Sequence, residues 1–121
     1  MKSVLLISHG SRFTSTEEEV RRFIGRLKEC SDISIFEYAF LDVAHPSIPE
    51  GIDMCVEKGA TEIIILLNFL NSGSHVDEDI PYIVNDARSK YPKVIFHITK
   101  PLGQHDQIIN LFLDMIQKCS Q

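Results

Sequence analysis

Two hydrophobic patterns alternate along the chain. Four short segments are almost continuously apolar and rich in Val, Ile, Leu or Phe, which is typical of strands buried in a parallel sheet. After each of them, apolar residues recur every three or four positions, which is typical of amphipathic helices. The pattern therefore predicts strands at residues 4–8, 33–40, 62–67 and 94–98.

Each predicted strand is followed by a predicted helix with its own apolar stripe. The four stripes are Val20, Phe23, Ile24 and Leu27; Ile48, Ile52, Cys55 and Val56; Val76, Ile80, Ile83, Val84 and Ala87; and Ile108, Phe112, Met115 and Cys119. Sequences typical of a capping box open the first two helices, with Thr16 and Glu19 in one and Ser47 and Glu50 in the other. We expect all four stripes to face the core.

The strand–helix order repeats four times, which favours a parallel sheet covered by helices on both faces. Because crossovers are right-handed, few topologies remain, and we predict an α/β fold with a doubly wound, flavodoxin-like four-stranded parallel sheet. These elements fill residues 1–121 as a single domain, without a linker or an internal repeat.

Composition narrows the classes of protein that suit this fold. The 121 residues are 44% hydrophobic and 24% charged, and the net charge of −5 argues against a nucleic-acid partner. The longest apolar run, residues 63–67, is too short to span a bilayer, so we expect no membrane partner. Three scattered cysteines without a C-x-x-C motif indicate reduced thiols, and we expect a cytoplasmic location.

Four of the five histidines lie just beyond the end of a predicted strand. In open α/β sheets, ligands bind outside the carboxyl ends of the strands, near the point where the strand order reverses. Each loop at this edge contains one histidine, and these are His9, His45, His75 and His105. His97 lies within a predicted strand, where we interpret it as structural.

His9 and His75 follow strands that are neighbours in such a sheet, so we expect them to approach each other across the crevice. Two neutral imidazoles suit cobalt, nickel, iron or zinc, and Asp42 or His45 would complete the ligand shell. The sequence lacks the four regularly spaced ligands of a structural zinc site. The pattern therefore favours an open site for a metal ion that binds and leaves.

Each of these histidines also has a purely structural interpretation. His9 and His75 would then cap a helix, and His45 would belong to a turn. His105 would bind the backbone at the start of the last helix, and the glycines of the same loops would serve tight turns. The metal hypothesis rests on the fact that these residues share one edge of the sheet.

Several segments, in order along nearly the whole chain, resemble the signatures of a known family. They are Ser-His-Gly-Ser-Arg at residues 8–12, Phe-Leu-Asp at 40–42, Ala-His-Pro-Ser at 44–47, the run at 68–76 with Asp-Ile-Pro at 79–81, and Pro-Leu-Gly-Gln-His at 101–105. The set resembles the small, single-domain CbiX-type chelatases. Ser8 stands where that family often has Gly, Asp42 where Glu is common, and His45 where an acidic or small residue is frequent.

The resemblance implies a chelatase-like α/β fold and the insertion of a divalent metal ion into sirohydrochlorin, a modified tetrapyrrole. The metal, Co²⁺, Ni²⁺ or Fe²⁺, would be a substrate, no organic cofactor would be needed, and the product would serve cobalamin, sirohaem or nickel-cofactor synthesis. His9 and His75 match the two family histidines that bind the metal and act in catalysis. The resemblance also implies a homodimer whose active sites lie near the cleft between subunits.

The residue types suit this chemistry. Metallation removes two pyrrole N–H protons, which a neutral histidine accepts near pH 7, and Asp42 or His45 would assist as acid or base. Arg12 and Lys100 would pair with substrate carboxylates. Further substrate contacts would come from Ser11, Ser72, Gly73 and Ser74.

Two other functions fit parts of the pattern. The segment around His9 is similar to the Arg-His-Gly motif of histidine phosphatases, but Ser8 stands where those enzymes have Arg. A metallochaperone or tetrapyrrole carrier would retain His9 and His75 and show no rate above spontaneous insertion.

Overall fold

The computed structural model of the chain describes residues 1–73 and 75–119, with the backbone alone described for His75. Its single sheet has the strand order β2-β1-β3-β4, and all neighbouring strands are parallel. The strands are β1 (Lys2–Ser8), β2 (Ile35–Phe40), β3 (Glu62–Leu67) and β4 (Ile95–Ile98). This order confirms the doubly wound topology, because β1 and β3 are neighbours at the point where the strand order reverses.

Four α-helices follow the four strands. They are α1 (Thr14–Glu29), α2 (Ile48–Glu57), α3 (Ile80–Lys90) and α4 (Ile108–Cys119). A π-helical turn, His75–Asp79, leads into α3, and a 3₁₀ turn, Leu102–Gln104, precedes α4. In the parts of the chain that the structure describes, none of the helices has the length and hydropathy to cross a bilayer.

Two apolar layers hold the helices to the sheet. Beneath α2 and α3, the buried side chains include Leu5, Ile7, Ile48, Ile52, Ile63, Ile65, Ile80 and Val84. Beneath α1, they are Val4, Leu6, Val20, Ile24, Phe36 and Phe40. Because burying each such side chain contributes about 1.5–3 kcal/mol, these layers fix the strand directions and therefore decide which loops meet at the carboxyl edge.

The start of α1 differs from the prediction. The helix begins at Thr14 with Phe13 as its N-cap, so Thr16 lies inside the first turn and the predicted Thr16–Glu19 capping box is wrong. The reason is local, since Ser11 Oγ accepts a hydrogen bond from the Phe13 backbone N–H at 3.1 Å and turns the chain into the helix early. The second capping box is confirmed at the start of α2.

The position of α4 also differs from the prediction. Its stripe is expected to face the core, yet no residue of α4 in the described chain is buried. Along β3, Ile63, Ile65 and Leu67 are buried, whereas Ile64 and Leu66 are only half-buried. Helices therefore lie on both faces as predicted, but among the described residues no helix covers β3 and β4 on the α1 side.

Candidate active site

The imidazole of His9 lies directly beyond the end of β1, at the centre of the carboxyl edge of the sheet. The His9 side chain is exposed, whereas Phe69, the second residue after β3, is only 2% exposed. The His9 ring stands edge-on to the Phe69 ring, with the centroids 4.6 Å apart and the planes at 86°. A core side chain thus orients the exposed histidine.

The loop after β2 lies tightly against the loop after β1. The Asp42 backbone N–H donates to the His9 carbonyl at 2.9 Å. Gly10 has a φ of +102°, and a Cβ at this position would stand only 2.0 Å from the Asp42 carbonyl oxygen. The structure therefore needs glycine at position 10 and places the Asp42 backbone beside that of His9. The Asp42 carboxylate accepts the Val43 N–H at 3.0 Å, so its role as an assisting residue stays a prediction.

His45 is bound to the start of α2. Its Nδ1 lies 2.7 Å from Glu50 Oε1, and that same oxygen accepts the Ser47 backbone N–H at 2.9 Å. These contacts, first the Ser47 N–H and then the His45 ring, lower the pKa of Glu50 to about 2. Of the two predicted assisting residues, His45 contacts Glu50 through its ring, and Asp42 contacts His9 through its backbone N–H.

The loop after β3 connects the ends of β1 and β3. Asn68 Nδ2 donates to Ser8 Oγ at 3.1 Å, and the Gly73 carbonyl accepts the Asp77 N–H at 2.8 Å at the start of the π-helical turn. Such turns are frequent at functional sites. The His75 side chain and the whole of Ser74 lie outside the described residues, so the approach of His75 to His9 stays a prediction.

The loop after β4 packs on the loop after β3. Gly103 N–H donates to the Phe69 carbonyl at 3.2 Å, and a Cβ on Gly103 would stand 1.6 Å from the Leu70 carbonyl oxygen. Gln104 Nε2 donates to Ser72 Oγ at 2.7 Å, which fixes the predicted substrate residue Ser72. These contacts bring the third and fourth loops to the same edge as His9.

Two histidines have structural partners. His105 Nδ1 accepts the Gln107 backbone N–H at 3.0 Å, as its structural interpretation at the start of the last helix predicts. His97 Nε2 lies 3.4 Å from Glu62 Oε1 on the neighbouring strand, in agreement with a structural role. Among the residues whose side chains are described, no three His, Cys, Asp or Glu groups converge on one metal position.

Two grooves open near this edge. The first, the β1–β2 groove, has a volume of about 430 Å³ and is lined in part by Ser11, Arg12, Phe13, Val43 and His45. The second, the β3–β4 groove, has a volume of about 500 Å³ and is lined in part by Phe23, Leu66, Asn68, Lys100, Leu102 and His105. Each groove thus contains one of the two predicted substrate-binding cations.

Both cations are exposed, and in the described part of the chain neither Arg12 nor Lys100 forms a salt bridge. Ser11 uses its oxygen to accept the Phe13 N–H, so its own proton remains for a substrate acceptor. The β1–β2 groove therefore has Ser11 and Arg12, and the β3–β4 groove has Lys100, as hydrogen-bond donors for a substrate.

Sequence reasoning assigned no role to Phe69, Asn68 or Gln104. Phe69 carried a signal, because Phe69 and Leu70 are large apolar residues in a mostly polar loop directly after a buried strand. Asn68 and Gln104 carried none, because their partners Ser8 and Ser72 are distant in sequence.

Comparisons with known proteins give a consistent result. Residues 3–119 match the family model CbiX. The chain is 35% identical to a sirohydrochlorin cobaltochelatase of Priestia megaterium, across 100% of this chain and 39% of that protein. It is 32% identical to the chloroplastic sirohydrochlorin ferrochelatase of Arabidopsis thaliana, across 96% of this chain and 52% of that protein.

A solved structure gives the same answer for the fold. The sirohydrochlorin chelatase SirB from Bacillus subtilis subspecies spizizenii, in complex with cobalt, superposes with a TM-score of 0.86 at 27% identity, covering 97% of this chain and 50% of that one. The chain thus spans about half the length, or less, of these relatives. On the extent of the family match and the identity to the two chelatases, the chain belongs to the CbiX family.

Proposed function

We propose that the protein inserts a divalent metal ion into sirohydrochlorin. The observation that carries the proposal is the His9–Phe69 pair, an exposed imidazole held by a buried ring at the centre of the carboxyl edge. Because β1 lies between β2 and β3, a flat macrocycle placed across this edge reaches His9 from either groove. The CbiX match and the names of the relatives support sirohydrochlorin as the macrocycle.

The metal ion is a substrate in this reaction. His9 and His75 bind it through two imidazoles, which leave coordination positions open, so the four macrocycle nitrogens capture the ion. As the metal passes to the macrocycle, each imidazole nitrogen that releases it is free to accept one of the two pyrrole protons. Asp42 assists, because its backbone bond to the His9 carbonyl keeps it beside this histidine, and His45 contributes less because Glu50 engages it.

The substrate carboxylates bind at the two grooves. Arg12 holds one side of the macrocycle and Lys100 the other, through charge-assisted hydrogen bonds. The hydroxyls of Ser11 and Ser72 each accept a protein donor and keep a proton to donate. Gly73 and Ser74, next to Ser72, complete the contacts of the loop after β3.

The metal, the assembly and the location are each proposed from a separate observation. Relatives named for cobalt and for iron support Co²⁺ and Fe²⁺, with Ni²⁺ as a third candidate because imidazole binds all three ions. The exposed apolar residues of α4 support a homodimer. The free thiols of Cys30, Cys55 and Cys119 support a reducing cytoplasm.

The test is the absorbance change of sirohydrochlorin on mixing with Co²⁺ or Fe²⁺, under anaerobic conditions, with and without protein. His9→Ala and His75→Ala are each expected to lower the protein-dependent rate by about 100-fold or more, the usual contribution of a positioned proton acceptor. Asp42→Asn is expected to lower it more than His45→Gln.

The matched control is His97, which pairs with Glu62 and lies outside both grooves. His97→Ala removes an imidazole without touching the proposed ligands, so it should retain most of the rate. Full activity in His9→Ala would show that the site assignment is wrong. A wild-type protein that binds metal and macrocycle without accelerating insertion would instead be a carrier.

A further inference from the structure

The β3–β4 half of the sheet has one face without a cover. The register pairs Val4 with Ile64, and Ile64 with His97, so these three side chains share the face on which α1 packs. Val4 is buried beneath α1, Ile64 is half-buried, and His97 is exposed. The cover that α1 gives to β1 and β2 therefore stops short of β3 and β4.

The β3–β4 groove lies beside this uncovered face and is largely apolar. Its walls include Leu6, Leu27 and Leu66 together with Phe23 and Leu102, which are 51% and 45% exposed. Soluble proteins rarely leave a contiguous apolar surface of this kind open unless it binds a partner.

The same chain carries a helix that matches the groove. Six large apolar side chains of α4 are 43–62% exposed, namely Ile109, Leu111, Phe112, Leu113, Met115 and Ile116. At 3.6 residues per turn, the apolar residues of α4 cover an arc of about 200°, wider than the stripe of about 100° that packs on a single surface. The remaining arc holds Asn110 and Gln117 with the ion pair of Asp114 and Lys118, at 3.0 Å, and suits water.

We propose that α4 of a second copy of this chain packs into the β3–β4 groove, and that the exchange is reciprocal. Each chain carries both the groove and the helix, so one two-fold axis satisfies both surfaces in both copies. These six side chains expose on the order of 100 Å² each. Together with the groove that receives them, their summed area approaches the about 800 Å² that a stable interface buries per partner.

The exchange also affects the candidate active site. Asn68, Lys100 and His105 line the groove at the end nearest the carboxyl edge. A helix seated in the groove would form a wall opposite these residues and exclude water from that end of the cleft. This inference rests on the homodimer proposed above and gives it a defined interface.

The first measurement is molar mass by size-exclusion chromatography with light scattering, across a dilution series of the full chain. The wild type is expected at twice the 13.8 kDa of one chain. Phe112→Asp places a charge on the apolar arc and Phe23→Arg places one in the groove, and each should raise the dimer dissociation constant about 30-fold or more. Asn110→Asp, with the same added charge on the polar arc, is the matched control and should remain dimeric.

The second measurement mixes the two variants in equal amounts. In an exchanged dimer, the intact helix of the Phe23→Arg chain meets the intact groove of the Phe112→Asp chain, and the remaining contact joins opposite charges. The mixture should therefore recover dimer mass that neither variant shows alone. Both variants are at exposed positions, and circular dichroism with a thermal melt checks that each is folded.

Three results would overturn the exchange. A monomeric wild type would mean that α4 packs on its own sheet or stays exposed, and it would also contradict the proposed homodimer. A dimer that survives Phe112→Asp uses another surface, and failure of the mixture to recover dimer excludes reciprocity. Because mass is measured without substrate, none of these results depends on the proposed metal insertion, which the absorbance assay tests separately.

Discussion

The ring of Phe69 meets the ring of His9 edge-on at 4.6 Å, although the two residues come from different loops. Phe69 is packed in the core, so it does not follow the motion of the loop that carries His9. Edge-to-face aromatic pairs contribute roughly 0.5–1.5 kcal/mol. That energy favours one orientation of the imidazole severalfold, and a metal ligand or proton acceptor requires such orientation.

The first prediction concerns Phe69→Leu, which removes the ring edge but keeps an apolar side chain. We expect the rate of metal insertion to fall about 3- to 10-fold and the free energy of unfolding to fall by about 1–2 kcal/mol. Phe36→Leu, a buried substitution beneath α1, is the control for stability alone. Equal loss of rate in both variants would show that Phe69 acts only through stability.

The second prediction concerns Gly10→Ala. The positive φ and the 2.0 Å approach of a Cβ to the Asp42 carbonyl should separate the first and second loops and cost at least about 2 kcal/mol. Gly25→Ala, in α1 with no atom within 4 Å of its Cβ, should stabilise the helix by up to about 1 kcal/mol. Urea denaturation measures both, and a neutral Gly10→Ala would contradict the described loop contact.

The third prediction compares the two capping sequences. Ser47→Ala removes a side-chain oxygen that accepts the Glu50 N–H and should cost about 1 kcal/mol of unfolding free energy. Thr16→Ala should change stability by less than about 0.5 kcal/mol or raise it slightly, because Thr16 lies within α1 and alanine is the better helix former. If Thr16→Ala cost as much as Ser47→Ala, α1 would begin where the sequence predicts.

The two capping sequences show how far local spacing predicts the structure. Strand order, the shared carboxyl edge and the Ser47 cap depend on hydrophobic period and local spacing, and all three are confirmed. The start of α1 was not predictable from Thr16 and Glu19, because a turn at Ser11 competes for the same backbone. The contact between His45 and Glu50 was not predictable for a similar reason. The Glu50 carboxylate caps α2 through Ser47, and the same oxygen can also contact the His45 ring.

The position of α4 could not be derived from periodicity. An apolar stripe indicates that a helix needs an apolar partner, but it does not say whether that partner belongs to the same chain. The structure leaves Phe112 and Met115 exposed and Leu66 half-buried, so the stripe predicts the helix but not the surface on which it packs.

The fourth prediction is a pH dependence that arises at Cys55. Burial raises the pKa of this thiol to about 11, and Ser3 opposes the shift only partly through a hydrogen bond. The unfolded thiol ionises at lower pH, so the folded state loses stability as pH rises from about 9 to about 11, by up to about 1.4 kcal/mol per pH unit. Denaturation of reduced protein at several pH values measures the slope.

The matched variants for this slope are two cysteine substitutions. Cys55→Ala should be less stable at pH 8 because it leaves a cavity, yet its stability should fall less steeply above pH 9 than that of the wild type. Cys30→Ala, at an exposed position, should keep the wild-type slope. Identical slopes in all three proteins would mean that Cys55 is not buried in solution.

The last prediction concerns the two cations of the grooves. Arg12→Gln and Lys100→Gln each remove a charge that has no salt-bridge partner in the described chain, so the loss should appear in substrate binding and not in folding. We expect the KM for sirohydrochlorin to rise about 3- to 10-fold in each variant, with kcat nearly unchanged, because a bond to the carboxylates acts equally in the ground and transition states. Arg22→Gln, an exposed cation of α1 outside both grooves, should leave KM unchanged. The wild-type KM should also rise with added salt, and the Arg12→Gln/Lys100→Gln double variant should lose most of that dependence. If KM changes neither with salt nor with either substitution, neither groove binds the carboxylates of an acidic macrocycle.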